Sequence, residues 1–585
     1  MKTFKAFFKS TGGKVWTVVT VVLLAVIIVT TALATTIFRS ILTTVLGGPG
    51  VIMADGVEPI YTSDYNSKAE SKAAGDALNV QISQEGFTLL LNENSALPLG
   101  AEERRVSVFG KNSVNLVLGG SGSGGGSSEG ASTIFDGLEA AGIEYNNELR
   151  DFYESSASGS GRSNNPELSE GSTKAPTLDI GETPIKNYSA SLISTFKDYS
   201  DAAIVVISRV GGESFDLPRS QNTNAGGIEG NHYLQLDRNE YDMLDMVTAR
   251  FDKVIVVLNT LTSFQCDFIE EYNNNPSDPR IDALMWIGGP GATGAEAIGD
   301  LLTGEANFSG RTVDLFSRDF TKDPTWQNFG DNSQVNGGKN GSSFLDGTTE
   351  TTDYFISYEE GIYTGYRYYE TRAYEESLTD AASTWYEDNV VFPFGYGLSY
   401  TSFTQSMTMT GDLEDADSQL EFAVTVTNGG QVAGKEVVQL YVTLPYYEGG
   451  IEKSRVQLVD FAKTGLLQPG ASTTVNFTVS AYDLASYDYN DANNNTKMKY
   501  ELDAGDYIFY AAANSHVDDP ANVYATATAN LEEGVVFETD PVTGKEVGNL
   551  YTYDEGEDDS VNFDDIQYRL DDVYVTDEDG EEYVR

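Results

Sequence analysis

Ile204-Val-Val-Ile-Ser-Arg-Val-Gly-Gly-Glu-Ser-Phe-Asp-Leu-Pro-Arg219 runs from an apolar stretch into a glycine-broken loop. Its first four residues are β-branched and uninterrupted by polar side chains, a run too short for a helix. Such a run reads as a strand buried on both faces. Gly211 and Gly212 then allow a sharp turn that presents Glu213. Three further runs of the same kind stand at Val106–Phe109, Val254–Leu258 and Leu284–Ile287. Helical patterns lie between them. Asp237-Arg-Asn-Glu240 has the form of a capping box, followed by Tyr241, Leu244, Val247 and Phe251 at helical spacing. A second helix is expected from about Thr293 to Leu302, ending at Gly304. The alternation predicts a layered α/β sandwich with a mostly parallel sheet. Ligand sites on open sheets of this class lie beyond the carboxyl ends of the strands, where Glu213 falls. By composition alone, a solvated loop carboxylate is the simpler reading of Glu213.

The pattern changes after about residue 400. Leu420, Phe422, Val424 and Val426 alternate with polar residues, as do Val438, Leu440 and Val442, then Val475, Phe477 and Val479. Turn signals separate them at Asn428-Gly429-Gly430 and Pro469-Gly470. Period-2 alternation with such punctuation predicts an all-β immunoglobulin- or fibronectin III-like sandwich.

At the amino end, Lys2, Lys5, Lys9 and Lys14 precede an uncharged run from Val15 to Phe38. About 20 apolar residues suffice to cross a bilayer as a helix. The lysines place its N-terminal side in the cytoplasm. The expectation is a single-pass cell-membrane anchor with the bulk of the chain extracellular. The rival is a cleaved signal peptide, since Ala32-Leu33-Ala34 has the small-x-small form of a cleavage site. Residues 551–585 hold 14 Asp or Glu against two Arg and read as an acidic tail with little regular structure. The expected organisation is therefore 1–45 cytoplasmic stub and anchor, 46–395 α/β domain, 396–532 β-sandwich and 533–585 tail.

Charge and rare residues narrow the chemistry. A net charge of -53 opposes nucleic-acid binding, which needs cations against phosphates. The single cysteine, Cys266, lies near Phe264 and Phe268 and reads as a small core residue. With two histidines, His232 and His516, zinc sites and serine triads are disfavoured, and carboxylates become the natural carriers of acid/base work. No cofactor or metal is expected.

Gly119-Gly-Ser-Gly-Ser-Gly-Gly-Gly-Ser127 needs separate reading. Gly120, Gly122 and Gly125 meet the spacing of a dinucleotide fingerprint, with Glu144 about 20 residues on. A spacer separates these glycines from the next helix. A loop lining a substrate cleft and a flexible connector are the competing readings. Asp488-Tyr-Asn-Asp-Ala-Asn-Asn-Asn495 lacks the central Gly and final Glu of a calcium loop and reads as a polar turn. Trp286 reads as core, whereas Trp326 and Trp385 are left unassigned between packing and sugar stacking.

Four blocks carry a family resemblance. They are Glu85-Gly-Phe-Thr-Leu-Leu-Leu-Asn-Glu-Asn94 with Leu97-Pro98-Leu99, Ser309-Gly-Arg-Thr-Val313 followed by 322–330, Tyr358–Tyr369, and Phe392-Pro-Phe-Gly-Tyr-Gly-Leu-Ser-Tyr400. In order and content they resemble glycoside hydrolase family 3, over about residues 75–530. That family usually joins a TIM-like barrel, an α/β sandwich and a fibronectin type III-like domain. The order here resembles its permuted members, in which the barrel comes last. No Ser-Asp-Trp-like nucleophile motif occurs, and fewer residues remain than the roughly 200 a barrel needs, so the barrel is expected to be absent.

The resemblance implies β-glucosidase- or β-xylosidase-like hydrolysis of O-glycosyl bonds with retention. It places the acid/base at Glu213. Arg209, Asp216, Gly120, Ser121 and Ser123 become candidates for supporting the loop or contacting substrate. The implied partners are a β-glycoside and a separate barrel polypeptide. Alone, the chain is expected to be inactive. The alternative is a surface-displayed carbohydrate-binding or structural module that has lost catalysis.

Overall fold

The computed structural model describes residues 10–35, 63–120, 124–125, 128–163, 178–212, 217–221, 225–275, 280–328 and 360–547, with two short strands in the tail. The chain divides into two compact units, residues 1–73 and 74–585. In the first, α1 (Thr11–Thr35) is a 25-residue helix whose Val, Leu and Ile side chains are exposed on all sides. At 1.5 Å per residue it is about 37 Å long, enough for a hydrocarbon core of about 30 Å. Thr17, Thr20 and Thr30 donate their hydroxyl protons to carbonyls four residues back, so these polar groups need no water.

The second unit begins with most of α2 (Lys68–Gly86) and a six-stranded sheet. Its strands are β1 (Thr88–Asn92), β2 (Arg105–Phe109), β3 (Glu144–Tyr145), β4 (Ala202–Arg209), β5 (Val254–Thr260) and β6 (Ala283–Trp286). Their spatial order is β1-β6-β5-β4-β2-β3. All neighbours pair in parallel except β1, which runs antiparallel to β6. The sheet is thus mixed, with one antiparallel edge. Every residue of β4 and β5 is buried, as their unbroken apolar runs require. The two faces feed separate cores. Val205, Ile207, Val256 and Leu258 pack with Met243, Leu244 and Val247 of α3 (Arg238–Thr248). Ile204, Val206, Ile255 and Val257 pack with Ile298, Leu301 and Leu302 of α4 (Ala297–Thr303). The capping box at Asp237 and Glu240 is present, and α4 ends at Gly304 in the left-handed region.

From residue 403 the chain forms a β-sandwich. One sheet holds β9 (Phe403–Thr410), β10 (Gln419–Asn428) and β13 (Ser472–Ser480). The other holds β11 (Val437–Thr443), β12 (Gln457–Lys463), β16 (Gly505–Ala512) and β17 (Val523–Leu531). Phe422, Val424, Leu440, Val442 and Phe509 meet between the sheets. β7 (Phe316–Ser317) and β8 (Val390–Phe392) form a small pair in the α/β domain, and β14 (Ser486–Tyr487), β15 (Tyr500–Leu502) and β18 (Val535–Phe537) form a side sheet.

The seam between the two domains is the segment 392–400. A side chain at Gly397 would strike the Gly310 carbonyl at 2.3 Å, and Gly395 has φ +80° against Gln439. Glycine is required at both positions. Arg311 donates to Glu436 at 2.9 Å across the same seam. In the tail, Tyr574–Thr576 pairs antiparallel with Glu582–Val584, a short ladder where the composition predicts none.

Candidate active site

Loops following β2, β4, β5 and β6 converge at the carboxyl edge of the sheet. The glycine-rich loop leaves β2's end beside the Glu213 loop: a side chain at Gly120 would contact the Gly211 carbonyl at 3.4 Å and Gly212 Cα at 3.6 Å. The loop after β6 closes from the other side. A side chain at Gly289 would meet Leu118 O at 3.0 Å and Leu261 at 2.7 Å. Gly291 N–H donates to Leu118 O at 2.8 Å.

Asn259, fully buried at the end of β5, holds these loops in register. Its Oδ1 accepts from Val117 N–H at 2.6 Å and from Ser208 Oγ at 3.0 Å. Its Nδ2 donates to Val117 O at 2.9 Å and Gly288 O at 2.7 Å. One amide side chain thereby joins the ends of three strands to its own.

Tyr233 fixes the two feet of the Glu213 loop. Its hydroxyl accepts from Val210 N–H at 3.1 Å, and its own N–H donates to Pro218 O at 3.2 Å. Val210 and Tyr233 share a small apolar cluster with Val117, Leu178 and Ile180, and Leu217 packs against it. Glu213 and Asp216 themselves lie outside the described residues, as do Ser121 and Ser123. What the structure gives is the position of their neighbours: Gly120 against Gly211 and Gly212, with both loop ends anchored.

The expectation that Arg209 contacts substrate is corrected by its burial. The side chain is 1% exposed and donates to both oxygens of Glu240 at 2.7 Å. Its remaining N–H groups donate to the carbonyls of Tyr233, Gln235 and Ser208 at 2.6–2.9 Å. All its donors are engaged inside the protein. Arg209 therefore supports the 233–236 segment that carries Tyr233, and through it the Glu213 loop.

Electrostatics beneath the loop are set by buried carboxyls. Burial pushes Glu182 up to about 7, although the backbone N–H groups of Thr183 and Lys111 pull the other way. Burial, then the adjacent Glu240, raises Asp237, opposed by the N–H it caps and by Arg209. Cys266 is fully buried and its thiol is pushed well up by burial. Among the described residues no group of three or more His, Cys, Asp or Glu is placed to hold a metal. Asp488 closes its own turn, accepting from Ala492 and Asn493 N–H.

Beside the converging loops a cleft of about 330 Å³ is lined by Ile82, Phe87, Trp286, Arg311, Val313 and the 287–291 loop. Trp286 is half-buried and its indole N–H donates to Thr260 O at 2.8 Å. Trp326 lies at the far end of the Glu213 loop, with the Arg219 guanidinium over its ring at 5.2 Å and His232 at 5.4 Å. Trp385 packs on Tyr368 and Tyr369. Asn259 and Tyr233 are the residues sequence reading missed. For Asn259 the available signal was a lone amide ending an otherwise apolar strand.

A glycine-backed loop after the central strand, set against a second glycine-rich loop, is the arrangement that comparison with known proteins resolves. Residues 87–366 match the model described as the glycosyl hydrolase family 3 C-terminal domain, and residues 436–515 match the fibronectin type III-like domain. The chain carries the family 3 C-terminal domain. β-Glucosidase A of Butyrivibrio fibrisolvens is 29% identical over 460 residues, covering 74% of this chain and 49% of that protein. A β-glucosidase of Ruminococcus albus is 30% identical over 457 residues, covering 77% of this chain and 40% of its own length. Among solved structures, β-glucosidase 3B of Thermotoga neapolitana in complex with α-D-glucose superposes with a TM-score of 0.60 at 27% identity, over 81% of this chain and 56% of that one. A β-glucosidase of Paenibacillus barengoltzii gives 0.59 at 30% identity, over 81% and 47%. The chain spans about half the length of these curated relatives, or less. Within the family 3 domain, the match covers the whole six-stranded sheet and the converging loops.

Proposed function

We propose that this chain supplies the acid/base half of a retaining β-glycosidase site, with Glu213 as the group that protonates the leaving oxygen. The observation that carries the reading is the anchoring of the Glu213 loop at the carboxyl edge of the family 3 sheet, against Gly120. Retaining hydrolysis uses two carboxyl groups about 5–5.5 Å apart, one attacking the anomeric carbon and one acting first as acid, then as base. Glu213 in its protonated form donates to the glycosidic oxygen as the bond to carbon breaks. The resulting carboxylate then takes a proton from the water that releases the sugar. The nucleophilic carboxylate comes, on this reading, from a barrel domain on a longer polypeptide or a separate one. Its docking face includes the cleft beside Trp286, Ile82 and Val313. The β-glucosidase relatives favour a β-glucoside as substrate, and a β-xyloside rests on the family resemblance alone.

The test uses aryl β-glucosides. Purified chain of 585 residues is expected to give no turnover above the Glu213→Gln control. With a family 3 barrel polypeptide added, turnover rises and Glu213→Gln abolishes the gain. Turnover by the isolated chain that Glu213→Gln removes would defeat the two-part reading.

The length and composition of α1 support a membrane anchor with the remaining chain exported. Retention in the membrane pellet after alkaline carbonate extraction is expected, and full release would favour a cleaved leader. A second reading, a surface-displayed carbohydrate-binding module, is favoured by a tyrosine-rich face on the β-sandwich.

A further inference from the structure

The loop between β11 and β12 reads Leu444-Pro-Tyr-Tyr-Glu-Gly-Gly-Ile-Glu-Lys453. It is rooted by Leu444 and Ile451, which are 5% and 3% exposed. Its turn is closed by Gly450 N–H donating to Tyr447 O at 2.8 Å. The Tyr447 hydroxyl donates to Ala504 O, and a side chain at Gly505 would strike both Pro445 and Tyr447. Lys453 is buried and donates to Asp503. The loop is therefore rigid, yet its aromatic rings face out. Tyr446 is 58% exposed, Tyr447 54%, and Tyr489, on the segment after β14, 52%. Burial, then the Glu452 carboxylate, raises both Tyr363 and Tyr489, and the Tyr489 hydroxyl donates to Glu452.

We propose that this face is a carbohydrate-binding surface for a neutral polysaccharide chain, separate from the Glu213 loop. Exposed tyrosines held rigid in one patch mark a binding surface, since soluble proteins rarely leave large aromatic area in water. A pyranose ring offers C–H groups to an aromatic face and hydroxyl protons to a carboxylate such as Glu452. The nearby cations are engaged: Lys453 with Asp503, and Arg455 with Asp518. An anionic polymer meets Glu448 and Glu452 instead, and is repelled. A cationic partner finds carboxylates everywhere on a chain of net charge -53, so the rings are what single out this face. Holding the rings in place before binding lowers the ordering cost of association.

Affinity electrophoresis of the full chain in mild detergent, through gels containing hydroxyethylcellulose or xylan, tests the proposal. Wild type is expected to be retarded. Tyr446→Ala with Tyr489→Ala is expected to need at least about tenfold more polymer for the same retardation, as loss of aromatic anchors commonly costs. Tyr446→Phe, which keeps the ring, stays close to wild type, and Glu213→Gln leaves retardation unchanged. The proposal is overturned by wild type that is not retarded, by equal retardation of the double variant, or by binding that Glu213→Gln removes. Retardation abolished by 0.5 M salt, or self-association that the double variant dissolves, would assign the face to a cationic partner or a second copy, and would overturn it as well. Because the readout is binding, failure of the acid/base role of Glu213 leaves this result untouched.

Discussion

Replacing Asn259 with alanine removes four hydrogen bonds at once: two with the Val117 backbone, one to Gly288 O and one from Ser208 Oγ. A net loss of about 1 kcal/mol per bond is typical, and a buried group left without a partner costs about 1–3 kcal/mol. Ser208 can rotate its hydroxyl, and Gly288 O is partly reachable by water. The Val117 N–H, buried and stranded, carries the largest share. The sum is about 3–4 kcal/mol, large beside the roughly 5–15 kcal/mol that holds a domain folded. At roughly 2–4 °C per kcal/mol, melting of the α/β domain should fall by about 6–16 °C. The more specific readout is hydrogen exchange. Amides at 116–120, 208–212 and 288–291 should exchange faster in Asn259→Ala, while β10 and β13 of the sandwich stay protected. Ser208→Ala, which loses one of the four bonds, should cost about 1 kcal/mol. Faster melting with unchanged exchange in those three loops would make Asn259 an ordinary core residue and refute the idea that it registers them.

Glu240→Gln leaves Arg209 buried without its counter-ion and should destabilise by about 3–5 kcal/mol, read by denaturant titration. Glu182 has its folded pKa raised to about 7 from the usual 4.5, so the folded state holds this proton more tightly than the unfolded one. Its contribution is complete below about pH 4.5 and is lost as pH climbs through 7. Glu182→Gln should therefore flatten the fall in melting temperature between pH 5 and 8 relative to wild type. Burial opposes the charge on His516, but the hydrogen bond and charge of Glu370 outweigh it and raise the pKa above 6.5. That stabilisation is present below about pH 6.5 and is lost as pH rises through the higher folded value, so His516→Gln should cost more at pH 6 than at pH 9 in paired thermal melts.

Much of the architecture was legible because it is written in local periodicity. Val254–Leu258 and Ile204–Ile207 could be little but buried strands, and the structure buries every residue of β4 and β5. The capping box at Asp237 and Glu240 was equally plain. The direction of β1 was not legible: Thr88-Leu-Leu-Leu-Asn92 carries no mark that it pairs antiparallel with β6. Which of its two readings Arg209 takes, supporting the loop rather than touching substrate, was not legible, because its partner Glu240 is 31 residues away.

The sequence by itself determined the two-domain α/β and β-sandwich plan, the apolar helix and the place of Glu213 just past a central strand. Side-chain periodicity and glycine punctuation act over a few residues, and those features need nothing more. Only the tertiary structure decided that Gly120 lies against Gly211, that Asn259 joins three loops, that Arg209 faces inward and that Tyr489 meets Glu452. Each depends on contacts between segments tens to more than a hundred residues apart. Packing of the folded sheet sets those contacts, and no local pattern encodes them.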